Sequence, residues 1–210
     1  MWKEQSAERT ADALITYCYR HLSERERKHD LYRIFYYDCP PVENQVYHPL
    51  DGKTRNMKLH KDYIWMTAFV KRLKEKRKIA LRLGKLDPNN CTYTLKYDAI
   101  KKLCNKSTTV DDLTEFDFEI SFKQKGVDMK IGMDIASLAY KCQVSQIVLI
   151  AGDSDFVPAS KLARREGIDV VLDPMEMQVP DDLAEHIDGK RSCGNPYINR
   201  AKSDNTNYTV

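Results

Sequence analysis

With 210 residues, 42% of them hydrophobic, the chain is long enough to bury one sizeable core, most simply in a single domain. Charged residues make up 31%, both signs are mixed, and the net charge of +3 permits a nucleic-acid partner without requiring one. No run of about 18 apolar residues occurs, which excludes a membrane span, and the N-terminal stretch lacks the apolar core of a secretory signal, so we expect a cytoplasmic protein.

The first half of the sequence predicts alternating helices and strands. Apolar residues at helical spacing favour an amphipathic helix over 11–22, and a charged linker follows it. The aromatic and β-branched stretch 31–38 predicts a strand, which ends at two prolines. The pattern then indicates, in order, a loop over 42–55 with a turn at Asp51-Gly52, a helix over 58–78 and a strand over 79–86.

The second half continues the alternation. Residues 87–90 predict a turn, and two alternating stretches, 91–97 and 116–123, favour an antiparallel ribbon with a small helix, 98–104, between them. The remaining predicted elements are a helix over 127–143, a buried strand over 146–152, a helix over 156–166 ended by Gly167, a strand over 168–174 and a short helix over 180–188. We expect one domain over 11–188 and a polar, disordered tail over 189–210.

This order of elements predicts an α/β fold, a three-layer α/β/α sandwich with a mostly parallel sheet. Ligands of such sheets bind at the carboxyl ends of the strands. The sequence places four aspartates at or just after predicted strand ends, namely Asp38, Asp153, Asp155 and Asp173. We therefore expect a functional site at that edge of the sheet.

The stretch "GDSDF", residues 152–156, carries two carboxylates at a predicted strand-to-helix turn. Asp153 and Asp155 point to the same side of an extended chain, and a divalent cation would relieve the repulsion between them. Mg²⁺ prefers such oxygen ligands and keeps several waters. Asp155 or Ser154 could instead cap the following helix. The residues alone leave a cation site and a helix cap as equal alternatives.

A second acidic stretch is "KGVDMKIGMD", residues 125–134. Asp128 opens a predicted helix and is either a ligand or an N-terminal cap. Asp134 follows six residues later, roughly 120° from Asp128 around the helix, so both cannot face one ion. Asp128 is therefore the predicted ligand, and Asp134 either orients water or serves the structure.

Basic and metal-binding side chains give weaker signals. Lys123, Lys125 and Lys130 flank Asp128 and could contact a phosphate backbone, whereas the basic run 71–78 is typical of a solvated helix end. The six cysteines and five histidines are scattered, and no pair has the spacing of a zinc or redox motif. We expect reduced thiols and no His/Cys metal site.

Two of these stretches together resemble a known family. "KGVD" (125–128) and "AGDSDFVP" (151–158) are similar to motifs of the NYN domain, a PIN-like nuclease family that includes the LabA-like proteins. The likeness extends over about residues 11–190 and includes "LYRIFYYDCPP", which resembles a second strand of the family. The resemblance implies a PIN-like α/β/α sandwich and a metal-dependent ribonuclease.

The resemblance also implies roles for individual residues. Asp128, Asp153 and Asp155 would be the catalytic residues and would bind Mg²⁺ or Mn²⁺, while Asp134 and Ser154 would support them. The metal would activate a water molecule for attack on an RNA phosphodiester. The implied partner is single-stranded or structured RNA, without a membrane, and a homo-oligomer stays open.

The sequence departs from the family pattern in one respect. Family members open with an apolar strand that ends in Asp-Gly, whereas no apolar run ending in Asp precedes Leu31 here. We hypothesise an N-terminally truncated product with impaired folding or activity, which an in-frame upstream apolar-Asp-Gly segment would support. The alternative is a catalytically inactive RNA-binding or regulatory module. Phosphatase and sugar-nucleotide transferase readings of Asp153-Ser154-Asp155 rank below both.

Overall fold

The computed structural model describes residues 5–24 and 27–194, and of residues 24, 27 and 88–90 the backbone alone. Within these ranges the chain alternates helices and strands. The helices are α1 Ala7–Arg20, α2 Lys61–Lys74, α3 Tyr97–Cys104, α4 Val127–Tyr140, α5 Val157–Arg165 and α6 Asp181–Ala184. The strands are β1 Ser23–Glu24, β2 Arg27–Lys28, β3 Ile34–Asp38, β4 Gln45–His48, β5 Lys53–Asn56, β6 Ile79–Leu83, β7 Lys85–Leu95, β8 Phe118–Lys125, β9 Gln146–Ile150, β10 Asp169–Asp173 and β11 Gly189–Lys190.

Parallel strands occur in two separate sheets among the described residues. β3 pairs with β6 in one of them, and β9, β10 and β11 form the other in the order β11-β10-β9. The α/β class is therefore confirmed, but the parallel strands do not form the one continuous sheet that the pattern predicted. The three-layer sandwich stays a prediction.

Among the described residues, two clusters of apolar side chains make up the core. The larger lies between β9–β10 and helices α4 and α5, where Leu172 and Ala163 are fully buried. The smaller lies between α1 and α2, where Leu73 is fully buried. Burying a leucine contributes about 1.5 to 3 kcal/mol. Tyr37 of β3 packs against the larger cluster, so side chains connect the two parallel sheets.

The secondary structure predicted from the sequence is least accurate in the polar segments. The predicted ribbon is confirmed as the antiparallel pair β7–β8. The predicted loop 42–55 is wrong apart from its turn, because β4 and β5 form a hairpin around Asp51-Gly52. The predicted turn at 87–90 lies inside β7, where the register with β8 shifts between Leu86 and Cys91. Charged residues on short two-stranded ribbons conceal the alternation that identifies a strand.

The long helices are correctly predicted, but their ends differ from the expected ones. α1 begins four residues before the predicted start at 11 and ends two residues before 22, whereas α2 and α4 are shorter than expected. α2 begins only after a 3-10 turn over Met57–Leu59, and α4 ends before Cys142, whose φ of 49° is incompatible with a continuing helix. α5 ends as predicted near Gly167, which has a φ of 80°. No helix in the described ranges is both long and apolar enough to cross a membrane.

The end of the described chain is folded onto the second parallel sheet. Gly189 and Lys190 pair with β10, and Cys193 is only 1% exposed. The predicted tail 189–210 thus begins with a short ordered segment, and residues 195–210 lie outside the described residues.

Candidate functional site

Asp128 lies in the first turn of α4, close to the carboxyl ends of β3 and β6. A Cβ added at Gly84, directly after β6, would lie 2.7 Å from Val127 Cγ2 and 2.9 Å from Cys39 Sγ. Only glycine permits this close approach of strand ends and helix start. The Asp128 side chain is exposed and makes no hydrogen bond or ion pair within the described part of the chain. Its carboxylate is therefore free to bind a ligand.

Asp153 and Asp155 follow β9 in a 3-10 turn that spans Ser154–Phe156. Asp153 Oδ1 accepts a hydrogen bond of 3.1 Å from the Asp155 amide, so Asp153 caps this turn. The expectation that Ser154 or Asp155 caps α5 is wrong, since the N-cap of α5 is Phe156. The Asp155 carboxylate is exposed and accepts no hydrogen bond from the described residues, and Ser154 is half-buried. Both carboxylate oxygens of Asp155 and the Oδ2 oxygen of Asp153 are therefore available to bind a ligand.

The turn after β9 contacts α4, and buried Phe156 packs in the same apolar cluster as Ile131 of α4. The fold therefore brings both acidic stretches to neighbouring elements. Within the described residues, Asp128, Asp153 and Asp155 do not form a cluster with ligand atoms within 4.8 Å of one another. Their oxygen donors fit a Mg²⁺ or Mn²⁺ ion that keeps part of its water shell, which needs only one or two direct carboxylates.

Asp134 serves a different purpose from the exposed aspartates. Its Oδ2 accepts hydrogen bonds from Arg82 Nε at 2.7 Å and from Tyr37 Oη at 2.9 Å. Burial and the hydrogen bond to Asp134 raise the pKa of Tyr37 above its ordinary value. Asp134 therefore ties α4 to β6 and β3, which favours the structural reading of this residue.

The three predicted phosphate-contacting lysines differ in availability. Lys130 Nζ donates to the Leu83 carbonyl oxygen at 2.5 Å, and Lys125 Nζ lies 2.6 Å from Asp87 Oδ2. Lys123 is exposed and makes no such contact in the described ranges. Of the three, Lys123 alone offers an uncommitted charge, so the basic surface beside Asp128 is weaker than the sequence suggests.

A cleft of about 940 Å³ opens beside the end of β3 and is lined by residues of α2 and of the β7–β8 ribbon. Its lining is rich in aromatic side chains, including Trp65, Tyr93 and Phe118, and it also contains Lys61. Phe116 at its rim is 86% exposed. Such a surface suits flat ligands, because bases stack on aromatic rings, and its charged lining combines lysine and arginine side chains with four carboxylates.

Sequence reasoning missed a buried polar cluster at the end of β10. Asp173 is fully buried and accepts hydrogen bonds from Tyr17 Oη at 2.5 Å and Ser192 Oγ at 3.1 Å. His21 Nε2 lies 2.8 Å from the same carboxylate. Burial alone would lower the pKa of His21, but the hydrogen bond with Asp173 raises it to about 9. Burial opposes ionisation of Asp173 as well, yet hydrogen bonds from His21 and Tyr17 hold its pKa below the ordinary value.

Cys193 completes this cluster. The ligand atoms of His21, Asp173 and Cys193 all lie within 4.8 Å of one another. His21 Nδ1 is buried without a hydrogen-bonding partner in the part of the chain that the structure describes, and such an unpaired group typically costs about 1 to 3 kcal/mol. The helical spacing of Tyr17 and His21 and the strand-end position of Asp173 were visible in the sequence. The sequence separation of 152 between His21 and Asp173 concealed that they meet.

Comparison with known proteins identifies a family whose model covers both acidic stretches. The family model of the NYN domain matches residues 44–186, which include α4 and the turn after β9. The chain belongs to the NYN domain family. NYN domains carry a nuclease-like fold of the RNase type. No curated protein and no solved structure matches the chain.

Proposed function

We propose that this NYN protein is a metal-dependent endoribonuclease with a PIN-like sandwich fold, acting in the cytoplasm. Asp128, Asp153 and Asp155 would hold a Mg²⁺ or Mn²⁺ ion. When bound, the metal supplies an activated water molecule and stabilises charge on the phosphate. The observation that carries the proposal is the pair of uncommitted carboxylates, Asp128 and Asp155, on neighbouring elements inside the matched range.

The other polar residues have supporting roles in this proposal. Asp134, through Arg82 and Tyr37, fixes α4 against the strands and so positions Asp128. The Asp153 amide-capping contact fixes the turn that presents Asp155. Because the Asp155 amide already holds the Asp153 carboxylate, this side chain loses little conformational freedom when it binds a metal ion, which favours affinity.

The aromatic cleft supports RNA as the substrate. Phe116 exposes 86% of its surface at the rim, where its ring is available to stack on an unpaired base. Bases of a single strand can stack there while Lys61, which lines the same cleft, pairs with a phosphate. We therefore favour unpaired over duplex RNA.

Purified protein with a fluorophore-labelled single-stranded RNA tests the proposal. Cleavage is expected with Mn²⁺ or Mg²⁺ and is expected to stop with EDTA. Phe116→Ala should raise KM with little change in kcat, because stacking affects substrate and transition state alike. Cleavage that continues unchanged in EDTA contradicts a metal-dependent reaction.

The second candidate is a catalytically inactive RNA-binding module. It is favoured by the spacing of Asp128, Asp153 and Asp155, which form no tight cluster among the described residues. RNA binding that weakens with salt, without cleavage in any divalent metal, would support this candidate over the nuclease.

A further inference from the structure

The buried cluster at the end of β10 has the composition of a metal site and differs in kind from the exposed aspartates. His21, Asp173 and Cys193 offer one nitrogen, one oxygen and one sulfur ligand within 4.8 Å of one another. Their exposures are 4%, 0% and 1%. We propose that these three side chains bind one zinc ion, independently of the nuclease activity proposed above.

The chemical types of the three ligand atoms indicate which metal ion the site would bind. Thiolate and imidazole ligands favour zinc over Mg²⁺, which prefers an all-oxygen shell. Tetrahedral zinc places its nitrogen, oxygen and sulfur ligands about 3.3 to 3.6 Å apart, given bond lengths of about 2.0 to 2.3 Å. His21 Nε2 and Asp173 Oδ2 lie 2.8 Å apart and the whole set within 4.8 Å, so small side-chain rotations reach that geometry. The Tyr17 oxygen, 2.5 Å from Asp173 Oδ2, is at hand for the fourth position.

The buried network is incomplete at one atom. Among the described residues it satisfies Asp173 several times over but leaves His21 Nδ1 without a hydrogen-bonding partner. Zinc would be held through Nε2, the nitrogen that faces Asp173, and the neutral imidazole would then carry its proton on Nδ1.

Zinc at this position would join three distant parts of the chain. His21 is the C-cap of α1, Asp173 ends β10, and Cys193 lies in the last described segment. That segment is otherwise held by polar contacts such as Arg20 Nη1 with the Cys193 carbonyl oxygen at 3.2 Å. The ion would therefore act as a structural cross-link rather than as a catalyst, since full burial leaves no room for substrate.

Metal titration of the chelator-treated full chain tests the site. We expect one equivalent of Zn²⁺ or Co²⁺ per chain, a thiolate-to-cobalt charge-transfer band, and a rise in Tm of about 5 to 10 °C at 100-fold excess over Kd. Cys193→Ser should lose the band and the rise. Cys39→Ser, a matched buried cysteine outside the cluster, should keep both. An unchanged cobalt spectrum in Cys193→Ser overturns the proposal.

X-ray absorption of the zinc-loaded wild-type chain decides the matter even if Cys193→Ser does not fold. One sulfur at about 2.3 Å with two or three nitrogen or oxygen ligands at about 2.0 to 2.1 Å is the expected shell. No stoichiometric zinc, or a shell without a single sulfur, refutes the site. Asp153→Asn should bind zinc normally, so loss of nuclease activity and loss of zinc binding are separable.

Discussion

Asp173→Asn perturbs the buried polar network at its centre while keeping the size of the side chain. Asp173 accepts hydrogen bonds from Tyr17, Ser192 and the Met175 amide, at 2.5, 3.1 and 2.8 Å, and lies 2.8 Å from His21 Nε2. An asparagine can replace only one of the two acceptor oxygens, and its amide group then faces donors. The substitution therefore removes the charge and mismatches two contacts together.

The expected cost follows from burial. Removing one partner of a buried ion pair costs about 3 to 5 kcal/mol, and Asp173 is 0% exposed. Asp12→Asn is the matched control, because Asp12 also pairs with cations, Arg72 and Lys76, but its side chain is 44% exposed. Exposed pairs contribute about 0 to 1 kcal/mol. A typical domain has only about 5 to 15 kcal/mol in total, so Asp173→Asn approaches the limit of folding.

Urea denaturation with EDTA present measures both variants without a contribution from bound metal. With an m-value of about 2 kcal/mol/M, Asp173→Asn should lower the midpoint by about 1.5 to 2.5 M at unchanged m. Asp12→Asn should lower it by about 0.5 M or less. Equal midpoints for the two variants would refute the assignment of Asp173 as the centre of a buried network.

Further predictions concern packing and alkaline pH. Gly84→Ala should destabilise the protein by about 1 to 3 kcal/mol in urea, because its Cβ would meet Val127 at 2.7 Å and a backbone oxygen at 2.8 Å. Gly132→Ala in α4 meets nothing within 4 Å and should stabilise by up to about 1 kcal/mol, and the opposite order would contradict the packing at the α4 start. Tyr36 and Tyr37 have pKa values raised by burial and by hydrogen bonds to carboxylates, so their stabilisation is complete below about pH 10, the unfolded pKa, and is lost above it. Urea midpoints at pH 9 and 11 should reveal a loss of up to about 1.4 kcal/mol per tyrosine, and an equal loss in the Tyr36→Phe, Tyr37→Phe double variant would refute it.

The sequence predicts local structure well where one period dominates. The apolar stripe of α2 identifies a helix, because its hydrophobic residues recur at helical intervals. The uninterrupted apolar run of β9 identifies a strand. The hairpin β4–β5 was not identifiable, since no residue of β5 is buried and the two buried positions of β4 are not both apolar. His48 is a polar residue but is only 1% exposed, so the buried face of β4 is not visible as an apolar pattern in the sequence.

The candidate site was predictable in part. Asp128, Asp153 and Asp155 were found from their positions at predicted helix and strand ends, although their roles remain predictions. Which oxygen accepts which hydrogen bond depends on turn geometry, so the capping role of Asp153 needed coordinates. The cluster of His21, Asp173 and Cys193 depends on contacts between distant segments, which no local pattern encodes.

RNA cleavage by Asp153→Asn measures the central claim most directly. Asparagine can still accept the capping hydrogen bond, so the turn should keep its shape while the metal loses a charged ligand. Asp169→Asn is the control, because this exposed aspartate begins β10 at the opposite edge of the sheet. With Mn²⁺ and single-stranded RNA, Asp153→Asn should lose at least about 100-fold in kcat/KM, since losing even an outer partner of a metal ligand costs about 10- to 100-fold. Asp169→Asn should cleave like the wild type. Equal cleavage by Asp153→Asn and the wild type would contradict a metal-dependent nuclease site at the end of β9.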